Sequence, residues 1–546
     1  VEVSHSLGKV GITGSESEDF PAKYSGETLV FDLGAAGSCP SATLDFGNVF
    51  VGYPEIALQH KGRCLIELWY GETLDLWRLD VLTSKDGLHW KGVQRRAFRY
   101  LKIVLVAAES TVEVGAVAIE NTWYDYDDRG FLETEDAELN RMVEVSKHTL
   151  RANTSYHYED CPMREKAMWI MDMRVMALIN AYLFGNSELT AKCLKQAFAI
   201  QRENGRIAST GPKDNDMFHH DFLFHLVGTL KEHFLLTGDR SLVEDLYPNV
   251  ERLHGFIGNL KNDQGLLDTD RTPRLHPYLD WSTEIEKLGI TTILNSLYKV
   301  YLEDLALLAE VVGKQTNASD FLSESQSVAS VIHETLFWEE EGLYRDAIRR
   351  GKPLSTLSQQ ANMAALYANI VPEERIDRVI GRTWKSGEFP PPYGPSYYLI
   401  IMEALHRNGL HDDMVEVLHR YWGTMLKRGA TTWWEVFDPS TPEWVYPHPF
   451  LGNVPTYEMD WIPISTCHGW SGVPGYAIPR YLLGVDLLCL HENKVRIRPP
   501  KTPLLNEANY SLPVRGEILK LRFSILSGET KIEVLEKPDS IDIEIQ

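Results

Sequence analysis

Apolar positions recur every three or four residues through the middle of the chain. The clearest run is Leu294, Leu297, Tyr301, Leu305, Leu308 and Val312, with gaps of 3, 4, 4, 3 and 4, closed by Gly313. Met414, Leu418, Tyr421 and Met425 repeat it with gaps of 4, 3 and 4. This period predicts helices near 136–154, 163–184, 186–203, 219–237, 241–261, 289–313, 317–336, 355–370, 372–384, 395–409, 411–427 and 470–484. Twelve helices paired by short turns fit an (α/α)6 toroid barrel, six inner helices ringed by six outer ones. A solenoid would also pair its helices, but no 34- or 40-residue repeat is visible.

The pattern changes to alternation on either side. Cys64–Gly71, Phe98–Val106 and Val112–Ile119 read as strands, with turn residues such as Ser84-Lys85-Asp86-Gly87 between them. Lys494–Pro500, Leu519–Ile525 and Ile532–Leu535 do the same near the end. The expected organisation is therefore multidomain α and β. Residues 1–128 form an N-terminal β-sandwich, 129–487 the helical barrel, and 488–546 a small C-terminal β-sheet domain or sandwich. The first twenty-five residues are polar and Gly/Ser-rich and are expected to be poorly ordered. The long connections 205–218, 262–288 and 428–469 stand out as candidate functional loops.

Charge narrows the partners. The 54 basic and 77 acidic residues give a net charge of −23, which argues against nucleic acid and anionic membranes. No run approaches eighteen apolar residues, so no transmembrane helix is expected. The chain begins at Val1 without a basic start and apolar stretch, as expected of a processed or shortened chain. A periplasmic or secreted location with the signal peptide removed leads, and a cytoplasmic one stays open. Oligomeric state stays open too. Cys39, Cys64, Cys161, Cys193, Cys467 and Cys489 are scattered with no Cys-x-x-Cys pair, so neither a zinc site nor a disulfide framework is expected.

Two stretches carry candidate chemistry. In Glu159–Asp172, Pro162 suits the first turn of a helix, which would set Glu165, Trp169 and Asp172 at i, i+4 and i+7 on one face. Two carboxylates around an aromatic ring make a plausible floor for a sugar. The same spacing also fits an ordinary amphipathic helix, its Trp in the core and its acids paired with Arg164, Lys166 and Arg174. The second stretch, Thr431-Thr432-Trp433-Trp434-Glu435, opens a segment with Asp438, Glu443, Trp444, His448, Asp460, Trp461, His468 and Trp470. Five of the chain's 14 Trp fall between 433 and 470. A hydrophobic lid is the alternative reading of that density. Asp280-Trp281-Ser282 has the same acid-plus-aromatic character. His219-His220-Asp221 is weaker, and no metal site is expected there, because adjacent histidines on a helix point apart.

The run Asp160-Cys161-Pro162-Met163-Arg164-Glu165-Lys166, with Trp169 following, resembles the signature of bacterial α-L-rhamnosidases of glycoside hydrolase family 78. Leu132 to Asn153 resembles the family's lead-in helix, Ala430–Glu435 its second catalytic segment, and Ser465–Trp470 its active-site histidine segment. The similarity spans most of 60–546. The resemblance implies an (α/α)6 barrel between β-sandwiches and hydrolysis with inversion, without cofactor. It implies Glu165 as general acid and Glu435 as general base. It implies a rhamnose pocket lined by Asp160, Arg164, Trp169, Asp280, Trp281, Trp434 and His468; Asp172, Asp221 and Trp470 complete the candidate sugar-binding set. The chain departs from many members at Met168-Trp169-Ile170-Met171-Asp172, where they carry Gly-Trp and then small or polar residues.

An acid needs a raised pKa, from burial or a like charge. Met163, Met168 and Trp169 offer the first, and Asp160 or Asp172 the second, while Arg164, Lys166 and a helix N-terminus oppose it. Arg164 is therefore expected to face the sugar or Asp160 more than Glu165. If it forms a bidentate pair with Glu165, Asp160 or Asp172 becomes the next candidate acid. Two rival functions remain, a polysaccharide lyase and a non-catalytic carbohydrate-binding protein. Whether Glu165 and Glu435 face each other across one cavity separates the last from an enzyme.

Overall fold

The structure, a computed structural model, describes residues 11–13, 23–25, 28–31, 39–74, 76, 78–271, 277–440, 464–501, 504–526 and 529–546. Glu443, Trp444, His448, Asp460 and Trp461 lie outside these residues, as does most of the polar start, in which Gly11–Thr13 and Lys23–Ser25 are strands.

Helices fill the middle of the described residues. They are α1 (Ala137–Ala152), α2 (Ile170–Leu183), α3 (Glu188–Ala199), α4 (His220–Thr237), α5 (Arg240–Gly258), α6 (Thr292–Val311), α7 (Gln315–Leu336), α8 (Gln359–Tyr367), α9 (Glu373–Ile380), α10 (Tyr398–Arg407), α11 (His411–Val417), α12 (Thr424–Lys427) and α13 (Pro474–Ala477). Burial sorts them into two kinds. All of α8 and all but Ala181 of α2 are buried, as befits helices covered on every side. In α7 only Ala318, Ser325, Val328, Ile332 and Leu336 are buried, a single stripe. The covered helices pack in succession: α2 on α4, α4 on α6, α6 on α8, α8 on α10, with α13 against α2.

Local chemistry fixes the starts. The Asp136 carboxylate caps α1, accepting from the N–H groups of Glu138 (2.8 Å) and Leu139 (3.1 Å). Thr291 and Ser358 do the same for α6 and α8. One expected helix is shorter than its period suggested. Residues 162–165 are turn, 166–167 are irregular, and α2 begins only at Ile170. The predicted 470–484 helix is broken into a 3-10 turn, α13 and a π-turn, with Pro474 and Pro479 inside it.

The N-terminal strands are joined into one nine-stranded sheet by their hydrogen bonding. The strand Ser41–Gln59 is the reason. Its first part pairs with Arg96–Ala108, and from Gly52 onward it pairs with Val112–Asn121. Gly52 permits the change of partner: a Cβ there would lie 1.9 Å from the carbonyl oxygen of Glu120. The core of this sheet includes Met163 and Cys467 from the helical part, so packing is continuous across the boundary.

At the other end sit a four-stranded and a three-stranded sheet. The four-stranded one takes its edge strand, Phe131–Thr134, from ahead of α1 and pairs it with Glu507–Val514. Tyr510 donates its hydroxyl to the carbonyl of Tyr182 at the end of α2 (2.6 Å). Gly185 follows at φ +63°, and a methyl group there would lie 1.7 Å from the Pro513 carbonyl oxygen. Gly185→Ala is expected to destabilise by more than the ~1–2 kcal/mol of a left-handed alanine alone, because the sheet must also lift off the helix end. Calorimetry checks this, and an unchanged Tm would contradict the close seating.

Candidate active site

The segment 159–169 is a closed loop. The Asp160 N–H donates to the Ala167 carbonyl (2.8 Å), and its Oδ1 accepts from the Ala167 N–H (2.9 Å). The Lys166 N–H donates to the Cys161 carbonyl (3.0 Å), with Lys166 itself at φ +60°. A carboxylate that binds nearby backbone competes with helix, and the residue before a proline avoids helical angles. Both effects override the 3.6-residue period here. Met168–Trp169 then pairs as a strand with Thr210–Gly211 before α2 starts. Glu165, Trp169 and Asp172 therefore do not share a helix face, yet all three line one pocket.

The pocket has a volume of about 230 Å³. Asp160, Glu165, Asp172, Glu435 and His468 supply its polar groups. Rings supply the rest in an unbroken chain of contacts: Trp169 to Phe222 (5.7 Å between centroids), Phe222 to Tyr278 (5.5 Å), and Tyr278 to Trp281 (5.3 Å) and Trp470 (5.7 Å). His219 stacks on Trp169, and Met217 stands half-exposed at the rim.

Glu435 is held from several sides. Its N–H donates to the Ser465 carbonyl (3.0 Å), the Ser465 N–H donates to its Oε2 (3.1 Å), and Trp470 Nε1 donates to its carbonyl (3.0 Å). Neighbouring Trp433 is fully buried, its Nε1 donating to Ser146 Oγ on α1 (2.9 Å). Arg164 Nη2 donates to Glu165 Oε1 and to Glu435 Oε1, each at 2.8 Å. Glu165 Oε2 accepts from Trp169 Nε1 (2.7 Å). Arg164 thus turns to both glutamates and not to Asp160, which corrects the expectation. It meets each through one nitrogen and one oxygen, so no bidentate pair with Glu165 forms.

Burial, and after it the Glu165 carboxylate, pushes the Asp160 pKa well above the ordinary value. Burial does the same for Asp172, reinforced by Asp160 and Glu165. Burial and then Arg164 hold the His468 imidazole well below its usual range. His468 Nε2 lies 3.0 Å from Asp172 Oδ1, and its Nδ1 lies 3.7 Å from Glu435 Oε2. Asp160, Cys161 and His468 each bring one possible ligand atom to within 4.8 Å of the others. The Cys161 thiol donates to Asp160 Oδ2 (3.1 Å), and burial raises the thiol as well as the carboxyl. A metal needs both groups deprotonated, so this donor set suits one poorly.

Besides Arg164, three more expected sugar ligands are not among the residues that line the pocket. Asp221 accepts from the N–H groups of Tyr278 (2.9 Å) and Leu279 (2.8 Å), holding the loop that carries Tyr278 and Trp281. Asp280 accepts from the Gly394 N–H (2.9 Å), Gln360 Nε2 (3.2 Å) and Ser282, so its carboxylate is committed to loop structure. Trp434 is buried edge-on to Phe437 and is not among the lining residues. The pocket residues missed were Met217, Phe222 and Tyr278, and His219 was singled out only with its neighbours as a weak candidate. Met217 and Tyr278 lie within the two long connections, where nothing in their residue type sets them apart.

Both Asp172 oxygens are buried without a hydrogen bond among the described residues. The folded protein keeps the Asp172 proton to a higher pH than the unfolded chain does, so this group's contribution to stability falls as pH rises above the ordinary carboxylate range. Asp172→Asn removes that slope. Its Tm is expected to exceed wild type at neutral pH, with the difference shrinking toward zero near about pH 4. Thermal melts across pH check this, and a deficit that grows with pH would refute it.

The chain is similar to known proteins in sequence and in fold. The model of the family described as bacterial alpha-L-rhamnosidase 6 hairpin glycosidase domain matches residues 127–481. An alpha-L-rhamnosidase of Formosa agariphila is 23% identical over 428 residues, covering 70% of this chain and 42% of that protein. The GH78 family rhamnosidase of Bacillus sp. GL1 superposes with a TM-score of 0.84 at 24% identity, covering 96% of this chain and 54% of that one. The rhamnosidase from Klebsiella oxytoca with rhamnose bound gives 0.69 at 22%, covering 81% and 88%. The chain spans about half the length of the first two relatives. It belongs to the bacterial α-L-rhamnosidase six-hairpin glycosidase family.

Proposed function

We propose that the protein is a glycoside hydrolase that removes terminal α-L-rhamnose, or a related α-L-sugar, from glycosides or polysaccharides. One observation carries the reading. Glu165 and Glu435, 270 residues apart in sequence, meet in one pocket on the same Arg164 nitrogen. Glu165 is the general acid and Glu435 the general base. The chain of rings offers apolar faces to a 6-deoxy sugar, and Asp160, Asp172 and His468 offer hydrogen bonds to its hydroxyls. The names of the Formosa and Klebsiella relatives support the sugar. The succession of covered helices supports an (α/α)6 toroid over about 129–487, with β domains at 1–128 and 488–546.

The stereochemistry follows from carboxylate spacing. The two oxygens on Arg164 each lie 2.8 Å from the same atom, so they are at most twice that distance apart. Inversion needs roughly 6.5–9.5 Å between the carboxyl groups, to admit a water. The bound set at Arg164 concerns one oxygen pair, and the carboxyl groups behind those oxygens can stand further apart, in keeping with inversion and with Glu435 as general base. A proton NMR record of the first-formed anomer checks this.

The two rivals fare less well. A purely binding protein has no need of two carboxylates converging on one cation. A lyase needs a cation facing the substrate carboxylate, whereas Arg164 joins the two glutamates.

With a nitrophenyl α-L-rhamnoside, Glu165→Gln and Glu435→Gln are each expected to lose about 10²–10⁴-fold in kcat. Turnover unchanged in either variant would remove that residue's role. No hydrolysis by wild type, with activity on another nitrophenyl glycoside, would reassign the sugar.

A further inference from the structure

We propose that Glu72, at the end of the strand Arg63–Gly71 of the N-terminal sheet, is a positioning residue for the Glu435 carboxylate. The proposal rests on the reading of Glu435 as general base.

Glu72 lies nearly four hundred residues from the segment it touches. Its Oε2 accepts from the Thr466 N–H (2.7 Å), Thr466 Oγ1 (3.2 Å) and Ser465 Oγ (3.2 Å), and Oε1 from Ser465 Oγ (3.4 Å). Ser465 is the residue that clasps Glu435. Its N–H donates to Glu435 Oε2 and its carbonyl accepts from the Glu435 N–H. Beyond it, Ser465 Oγ accepts from the Cys467 N–H (3.0 Å), and the Cys467 carbonyl, 2.8 Å away, shares the hydroxyl's one proton with Glu72. The next residue is His468, whose N–H donates to the Trp433 carbonyl (2.8 Å). One carboxylate on the N-terminal sheet therefore fixes the turn that carries both Ser465 and His468.

Packing alone does not explain the group. Met163 and Cys467 already join the two parts through the apolar core of the N-terminal sheet. A carboxyl buried beside that core is costly unless its hydrogen bonds are met, and here the donors converge on it from two adjacent residues. Burial pushes its pKa up to about 7, which measures that cost. What the arrangement supplies is register. Apolar contacts tolerate a slide of the 464–468 segment, and the Thr466 N–H and hydroxyl aimed at one Glu72 oxygen do not. A displacement of about 1 Å at a reacting group can cost ~10²-fold in rate.

The test uses the full chain and four variants: Glu72→Ala, Glu72→Gln, Glu435→Gln and the double variant of Glu72→Ala with Glu435→Gln. Glu72→Ala is expected to lower kcat for the nitrophenyl rhamnoside about 10–100-fold, with KM changed less than about threefold. Glu72→Gln, which keeps one acceptor, falls between it and wild type. In the double variant the Ala substitution adds nothing to the loss from Glu435→Gln, because there is no longer a base to place. Hydrogen–deuterium exchange over 464–470 is expected to quicken in Glu72→Ala and, less, in Glu72→Gln, whatever sugar the enzyme prefers. Independent, multiplicative losses in the double variant would overturn the proposal, as would exchange unchanged in this segment. If Glu72→Ala fails to fold, the isosteric Glu72→Gln carries the same kinetic and exchange readouts. Wild type inactive on every rhamnoside would sink the proposed activity alone, since the exchange result stands apart from it.

Discussion

A guanidinium buried between two carboxylates is the contact on which this molecule turns. Arg164 is almost wholly shielded from water, and so is Glu435. A cation in that position is tolerable only while its partners stay within hydrogen-bond reach, since losing one leaves a charge buried alone. The loop 159–169 and the 431–437 segment have to meet at that nitrogen. Each is braced accordingly. The first closes on itself through Asp160 and is pinned from behind by Lys166 Nζ on the Arg95 carbonyl (3.0 Å). The second is fastened to α1 through Trp433 and to the histidine segment through Ser465.

The bracing crosses what looks in sequence like a domain boundary. Met163 and Cys467 belong to the core of the N-terminal sheet, Glu159 is paired with Arg95, and Glu72 reaches the turn before His468. The helices supply the pocket's walls, including Asp172 in the first turn of α2 and Phe222 in the first turn of α4. The floor that holds Glu165 and Glu435 is built from irregular chain. Irregular chain has no internal ladder to set its shape, so a neighbouring sheet performs that task.

This division explains what the sequence could and could not reveal. Helices declared themselves because burial on one stripe or all round leaves a 3.6-residue signature, and α6 follows its predicted period closely. Glu165, Trp169, Asp172, Glu435 and His468 were legible as chemistry, and the pocket gathers all five. The geometry behind them was not, since the period that suggested a helix over 163–169 was overruled by Asp160 capturing the Ala167 N–H. Asp221 and Asp280 were misplaced for a related reason. A carboxylate beside an aromatic reads the same whether it binds a ligand or a backbone amide, and only the fold shows which donors are nearer. Glu72 left no trace at all, because its partners lie nearly four hundred residues away and no local pattern records such a bond.

The edge strand Phe131–Thr134 has a bearing on how the chain assembles. It precedes the first helix, yet its hydrogen-bonding partner Glu507–Val514 follows all thirteen described helices in sequence. On a ribosome the helical hairpins emerge in order and can form early, being rich in local contacts. The strand that ushers in α1 must wait unpaired through all of them, an open edge in a nascent molecule. Sealing the helical region thus waits for the strands that follow it, and they serve as its clasp.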